Sequence, residues 1–185
     1  MEPHPSILSA LKGEPAFFPS ALYLPEALRQ DRPMTRIFID ADACPVKDEI
    51  YRVAGRYSLT VFVVSNRMIV VPQSPHIERI IVESGPDCAD DWIAEHAEPG
   101  DVVITSDIPL ASRCVARKAE VLDPKGRHLD GDAIGMAVAM RDLMTDLRSA
   151  GVMTSGGAAF TKADRSTFLS ALDTLIVRAR KQNSR

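Results

Sequence analysis

A chain of 185 residues with 45% hydrophobic and 25% charged residues has the composition of one globular domain with a sizeable core. Its formal net charge of −3 argues against a uniformly basic, nucleic-acid-coating surface, although a local basic patch on an acidic protein still contacts phosphates. Three widely spaced cysteines without a CxxC pair argue against a disulfide framework or a structural zinc site, and no apolar run approaches the ~20 residues that cross a bilayer, so a cytoplasmic protein with no membrane partner is expected.

Residues 1–33 carry Pro3, Pro5, Pro15, Pro19, Pro25 and Pro33 with no sustained periodicity, and are expected to form a poorly ordered extension. Met34 follows it, directly before the first strand, as an alternative start. From Thr35 onward strand and helix patterns alternate. "RIFID" reads as a strand, "VKDEIYRVAGRYS" as a helix and "TVFVVSN" as a strand; a turn-rich loop around Pro72 to Pro75 leads to the strand "IERIIVES". Helix "CADDWIAEHA", strand "DVVITSD", helix "PLASRCVARKA" and short strand "EVLD" follow. The apolar runs FI, VFVV, RIIV and VVIT are what a parallel sheet covered on both faces requires. The expected fold is α/β: a three-layer α/β/α sandwich with a mostly parallel sheet and right-handed crossovers, one domain over residues 34–182.

The last third predicts a long amphipathic helix over Gly131 to Ser149, a break at "GVMTSGG" and a final helix opened by "TKADRSTF". Asp164 is expected to cap that helix, with Leu169, Leu172, Leu175 and Ile176 as its apolar stripe. Residues 183–185 are expected to fray.

Ligands of open α/β sheets bind beyond the carboxyl ends of the strands, and three acidic groups fall there. Asp40 and Asp42 follow the first strand, Asp107 follows "VVITS", and Asp87, Asp90 and Asp91 open the helix after "IIVES". If the first and "VVITS" strands are neighbours, these carboxylates converge, which is unfavourable without a proton or cation. Hard oxygen ligands suit Mg²⁺ or Mn²⁺, so Asp40, Asp42, Asp90 and Asp107 are candidate metal ligands, with Asp87, Asp91, Thr105 and Ser106 as auxiliary residues. Lys47, Arg67 and Arg113 fall in or after loops on the same side and are candidates for positioning phosphates, as are Lys125 and Arg127. The competing explanation is structural: acids in a helix's first turn complement its dipole, and Asp101 in "EPGD" reads as a turn residue. Cys44, before Pro45, reads as a small buried residue, and His96 as a packing or surface residue. Trp92 and the few other aromatics form no stacking platform.

The stretches "IDADACPVK", "GPDCADDWIAEHAEPGDVVITSDIPLA" and "TKADRSTFLSALD" resemble the YaiI/YqxD family of uncharacterised bacterial proteins, over about Thr35 to Lys181. That family is similar in turn to PIN-like domains. The resemblance implies a PIN-like fold and matches Asp40, Asp90 and Asp107 to the acids of PIN nucleases, with Thr105 and Ser106 beside the last. It implies a Mg²⁺- or Mn²⁺-dependent nuclease on RNA or DNA, with RNA the nearer partner and a homo-oligomer compatible. Two other readings share these residues. One is a PIN-like module that binds RNA or protein without catalysis. The other takes "IFIDADAC" as an approximate haloacid-dehalogenase-like phosphatase signature, with Asp40 as nucleophile and Asp42 as general acid.

Overall fold

The computed structural model describes residues 35–149 and 160–183, apart from Ala43 and Pro86. The expected extension over 1–33, the break at "GVMTSGG" and residues 184–185 of the tail lie outside the described residues. In chain order the elements are β1 (Ile37–Asp40), α1 (Lys47–Tyr57), β2 (Val61–Ser65), β3 (Ile77–Ile81), α2 (Cys88–His96), β4 (Val102–Ile104), α3 (Ile108–Ala116), β5 (Glu120–Leu122), α4 (Gly131–Ser149) and α5 (Lys162–Asn183).

The strands form one sheet in the order β3-β2-β1-β4-β5, with every pairing parallel. β1, β2 and β4 lie inside it, which explains their near-continuous Ile, Val and Phe: both faces are covered, and alternation with polar residues has no place. β3 departs from the expectation drawn from "RIIV". It is the sheet's edge, so Arg79 and Ile81 are exposed and only part of the strand is covered.

Helices α1 and α5 pack together on one face, and α2, α3 and α4 form the other layer. The three-layer α/β sandwich is therefore as the sequence pattern implied. Strand alternation assigns side chains to the two faces. Ile37 and Ile39 enter the cluster with Ile50 and Val53 of α1 and Phe168, Leu172 and Ile176 of α5. Phe38 points the other way, its ring 5.1 Å from that of Phe62 on the paired strand, and Trp92 of α2 lies 6.2 and 6.3 Å from the two. Each fully buried large side chain of this kind contributes about 1.5–3 kcal/mol.

At the amino ends of the central strands Arg36 and the buried Asp101 form a two-point ion pair, Nε–Oδ1 3.1 Å and Nη2–Oδ2 2.5 Å. Asp101 is thus structural, as the turn suggested. The start of α5 corrects a detail: Thr161 is the capping residue, and Asp164 reaches back to it. The Asp164 amide donates to Thr161 Oγ1 at 3.2 Å while Asp164 Oδ2 accepts from the Thr161 amide at 2.7 Å, a reciprocal capping box. Among the described residues no helix is long and apolar enough to cross a membrane.

Candidate functional site

The chain leaves β1 for β2 and β3 on one side, then returns to β4 on the other, so the strand order reverses between β1 and β4. Loops diverge at such a point and leave a crevice at the carboxyl edge. A cleft of about 330 Å³ opens there, lined by Asp40, Asp42, Asn66, Gly85, Asp87, Ala89, Asp90, Ser106 and Asp107.

The register brings these residues together. Asp40 shares a face with Phe38, two residues earlier, and therefore points toward the α2 layer. Trp92 covers Phe38 and Phe62, which sets the first turn of α2, carrying Asp90, above the end of β1. Ile39 pairs with Ile104, so Thr105 comes beside Asp40. The buried Thr105 hydroxyl donates to Asp40 Oδ2 at 3.1 Å and accepts from the Asp107 amide at 3.0 Å. Asp107 is also the N-cap of α3: its Oδ1 accepts from the Leu110 amide at 2.7 Å, with Pro109 in the first turn.

Asp87 occupies the N-cap position of α2 without capping it. Its φ is 61°, in the left-handed region that a non-glycine residue enters at a cost, and its side chain makes no cap hydrogen bond. The carboxylate lines the cleft. Aspartate enters this region more readily than most residues, and Ser58 and Lys118 hold it elsewhere in the fold with φ 52° and 66°.

Crowding shows in the proton equilibria. Burial, and then the charges of Asp40, Asp107 and Asp87, push the Asp90 carboxyl up to about 6. The Asp40 carboxyl is also raised, burial outweighing the Thr105 hydrogen bond, with Asp42 and Asp107 adding repulsion. Both shifts favour the neutral form because like charges share a poorly solvated space.

Of the residues the sequence marked, Asp40, Asp42, Asp87, Asp90, Ser106 and Asp107 line one cleft, and Thr105 supports it from beneath. Asp91 does not join them; it pairs with Arg113 at 2.7 Å on the exposed side of α2. Lys47 Nζ donates to the Ala41 carbonyl at 3.0 Å, and Arg67 Nε donates to Asp42 Oδ1 at 3.2 Å, which leaves Arg67 beside a cleft residue. Arg127 instead binds the buried Asp123, Nε–Oδ2 2.6 Å. His96 stacks on Trp92 with ring centroids 4.0 Å apart, a packing role. Cys44 is buried, and burial pushes its thiol up to about 11, so it stays protonated at neutral pH.

Asn66, Gly85 and Ala89 were not singled out in the sequence. Asn66 follows β2, the neighbour of β1, and the rule that led to the aspartates would also have reached it. Among the described residues no three His, Cys, Asp or Glu side chains are already gathered into a metal-holding group. The acids share a cleft without closing on one point.

An open, parallel α/β sheet with carboxylates crowded at its switch point defines this protein as an α/β protein with an acidic carboxyl-edge cleft. The model of an uncharacterised bacterial family, YaiI/YqxD, matches residues 38–178. A UPF0178 protein of Gluconacetobacter diazotrophicus is 69% identical over 149 residues, covering 80% of this chain and 97% of its own. UPF0178 proteins of Rhodopseudomonas palustris BisB18 and Gluconobacter oxydans are 61% and 59% identical over 149 and 148 residues, covering 80% of this chain and 96% and 85% of their own. The chain belongs to the YaiI/YqxD family. No solved structure matches it.

Proposed function

We propose that this protein is a metal-dependent phosphodiesterase acting on nucleic acid, RNA before DNA. The observation that carries the proposal is the single cleft at the β1/β4 switch point lined by Asp40, Asp42, Asp87, Asp90 and Asp107. Among the described residues, the one hydroxyl of its lining is Ser106, and no histidine lines the cleft beside it. Carboxylates without a partnered Ser, Cys or His suit hydrolysis by activated water better than a covalent route. The similarity to PIN-like domains, drawn from the sequence, supports the same roles.

The donor set fits a divalent cation in its chemistry: carboxylate oxygens are the ligands Mg²⁺ and Mn²⁺ prefer, and a cation offsets the burial and the repulsion that together raise Asp40 and Asp90. Asp40, Asp90 and Asp107 would hold it, with Asp42 as auxiliary ligand or outer base. When bound, such an ion supplies neutralisation of phosphate charge and acidifies a water. The protein's own residues orient. Thr105 fixes Oδ2 of Asp40, and the α3 cap fixes Asp107 through Oδ1.

The test is incubation of wild type and Asp107→Asn with labelled RNA, labelled DNA and a small phosphomonoester in Mg²⁺ or Mn²⁺. Asn caps a helix as well as Asp, so α3 is kept while one charge is lost. The expected result is cleavage of nucleic acid by wild type and loss of at least about 100-fold in Asp107→Asn, on the scale of removing a charged active-site group. Hydrolysis of the phosphomonoester alone, with phosphate trapped on Asp40, overturns the proposal in favour of a phosphatase. A second reading, a binding module without catalysis, is favoured by the absence of a preassembled metal-ligating group among the described residues. Binding of RNA without cleavage in any metal would establish it.

A further inference from the structure

Every ionisable group in the lining of the cleft is an aspartate, and an ionised carboxylate only accepts hydrogen bonds. The two non-bridging oxygens of a phosphodiester also only accept. A cleft of this kind therefore needs donors, and Gly85 and Ala89 supply no side-chain donor. The side-chain donors of the lining, among the described residues, are the exposed hydroxyl of Ser106 and the amide of Asn66. Of the nearby cations, Arg67 gives its Nε–H to Asp42 and Lys47 donates to the Ala41 carbonyl, and neither lines the cleft itself.

Asn66 is held in place by its neighbours on both sides. Asp40 pairs with Val64, so Asn66 stands just past the end of β2, beside the first strand's acids. The carbonyl of Ser65 accepts from the Val82 amide at 3.0 Å, and the buried Ser65 hydroxyl donates to the Arg67 carbonyl at 2.7 Å, spanning Asn66. The side chain is half-buried, lines the cleft, and forms no hydrogen bond with any described residue. An amide fixed at its backbone, with no partner for its head among the described residues, is suited to receive a group that brings acceptors of its own.

We infer that Asn66 is a substrate-positioning residue, whose Nδ2–H donates to a non-bridging phosphate oxygen of the bound strand. The inference rests on the phosphodiesterase reading of the same cleft. It is tested with Asn66→Ala, Asn66→Asp and Asn66→Ser, scored for cleavage of labelled RNA and DNA in Mg²⁺ or Mn²⁺. The same proteins are scored for binding of the fluorescent oligonucleotides by anisotropy with Ca²⁺ in place of those ions, and for melting temperature. The expected result is a loss of about 10- to 100-fold in kcat/KM and in oligonucleotide affinity for Asn66→Ala, on the scale of one hydrogen bond to a charged group. Asn66→Asp, of equal size but without the donor, should lose at least as much, and Asn66→Ser should recover part. Melting temperatures should stay within about 2 °C of wild type, as for a surface substitution.

Cleavage and binding within twofold of wild type in Asn66→Ala overturn the inference and leave the phosphodiesterase intact. So does equal loss in all three variants accompanied by a lowered melting temperature, which marks a structural role. A wild type that binds the oligonucleotide without cutting it removes the phosphodiesterase, and the affinities of the variants then decide for or against Asn66. A wild type that neither binds nor cuts removes both.

Discussion

Replacing Asp90 with Asn in metal-free buffer at pH 7.5 is expected to stabilise the protein. The carboxyl of Asp90 stands at about 6 in the fold against 3.8 for the free group, with burial as first cause and the charges of Asp40, Asp107 and Asp87 next. A raised acid binds its proton more tightly folded than unfolded. Its ionised form therefore destabilises the fold, with the cost fully present above pH ~6 and absent below pH ~4. A difference near two units corresponds to about 3 kcal/mol for a fully buried group, and partial exposure of Asp90 reduces this by screening to roughly 1–1.5 kcal/mol. For a chain of this size that is about 2–6 °C in melting temperature. The lowering by Arg113 is already contained in the value near 6, and one effect opposes the gain: an acid in the first turn of α2 gains about 0.3–1 kcal/mol from the helix dipole. Scanning calorimetry of wild type and Asp90→Asn with chelator, from pH 4 to 8, measures the balance. The variant's advantage should be largest near pH 7.5 and shrink to nothing near pH 4. An Asn variant that melts lower at pH 7.5, or an advantage unchanged at pH 4, would refute the account of burial and crowding and show the helix dipole to dominate.

Millimolar Mg²⁺ or Mn²⁺ should raise the melting temperature of wild type, by about 2.7 kcal/mol of added stability when the cation is at 100 times its Kd, and should do nothing for Asp40→Asn. Asp101→Asn should lower the melting temperature by roughly 6 °C or more, because it leaves the Arg36 guanidinium, only 12% exposed, without its buried ion-pair partner and with only the exposed Glu98 at 3.2 Å, at a cost of about 3 kcal/mol. Thr161→Ala should lower it by ~2–4 °C through loss of the α5 cap, as seen in the same thermal scan.

The sheet was legible because it is governed by periodicity. Runs of Ile, Val and Phe in β1, β2 and β4 have one explanation, burial on both faces, whereas "RIIV" has the same composition and lies at an edge. Strand order is a long-range property that a local run does not encode. At the site, charge was the signal, and it found the aspartates and passed over the neutral Asn66. Asp90 and Asp91 looked equivalent, yet the phase of α2 separates them. Asp90 lies one turn before Ile93 and Ala94, both buried, while Asp91 lies one turn before Ala94 and the exposed Glu95. The cap of α5 went to Thr161 because the box needs both residues, and Asp164 supplies its returning half.

The structural and functional explanations of Asp107 are not alternatives. As N-cap of α3 it spends one carboxylate oxygen on the Leu110 amide, and its own amide is bound by Thr105, whose hydroxyl holds Asp40. The second oxygen has no hydrogen-bond partner among the described residues, and the residue lines the cleft. Helix capping thus fixes the rotamer that presents the other oxygen, so the contact that favours folding also orients the site. Asp87 makes the opposite arrangement: it occupies a cap position, leaves the cap unmade, and holds a strained φ while its carboxylate lines the cleft. A protein that needed only well-capped helices would gain from a hydrogen-bonding cap at that position, about 1 kcal/mol on the scale of such caps. Five aspartates in one cleft lower stability unless a proton or a cation offsets the crowding of their charges.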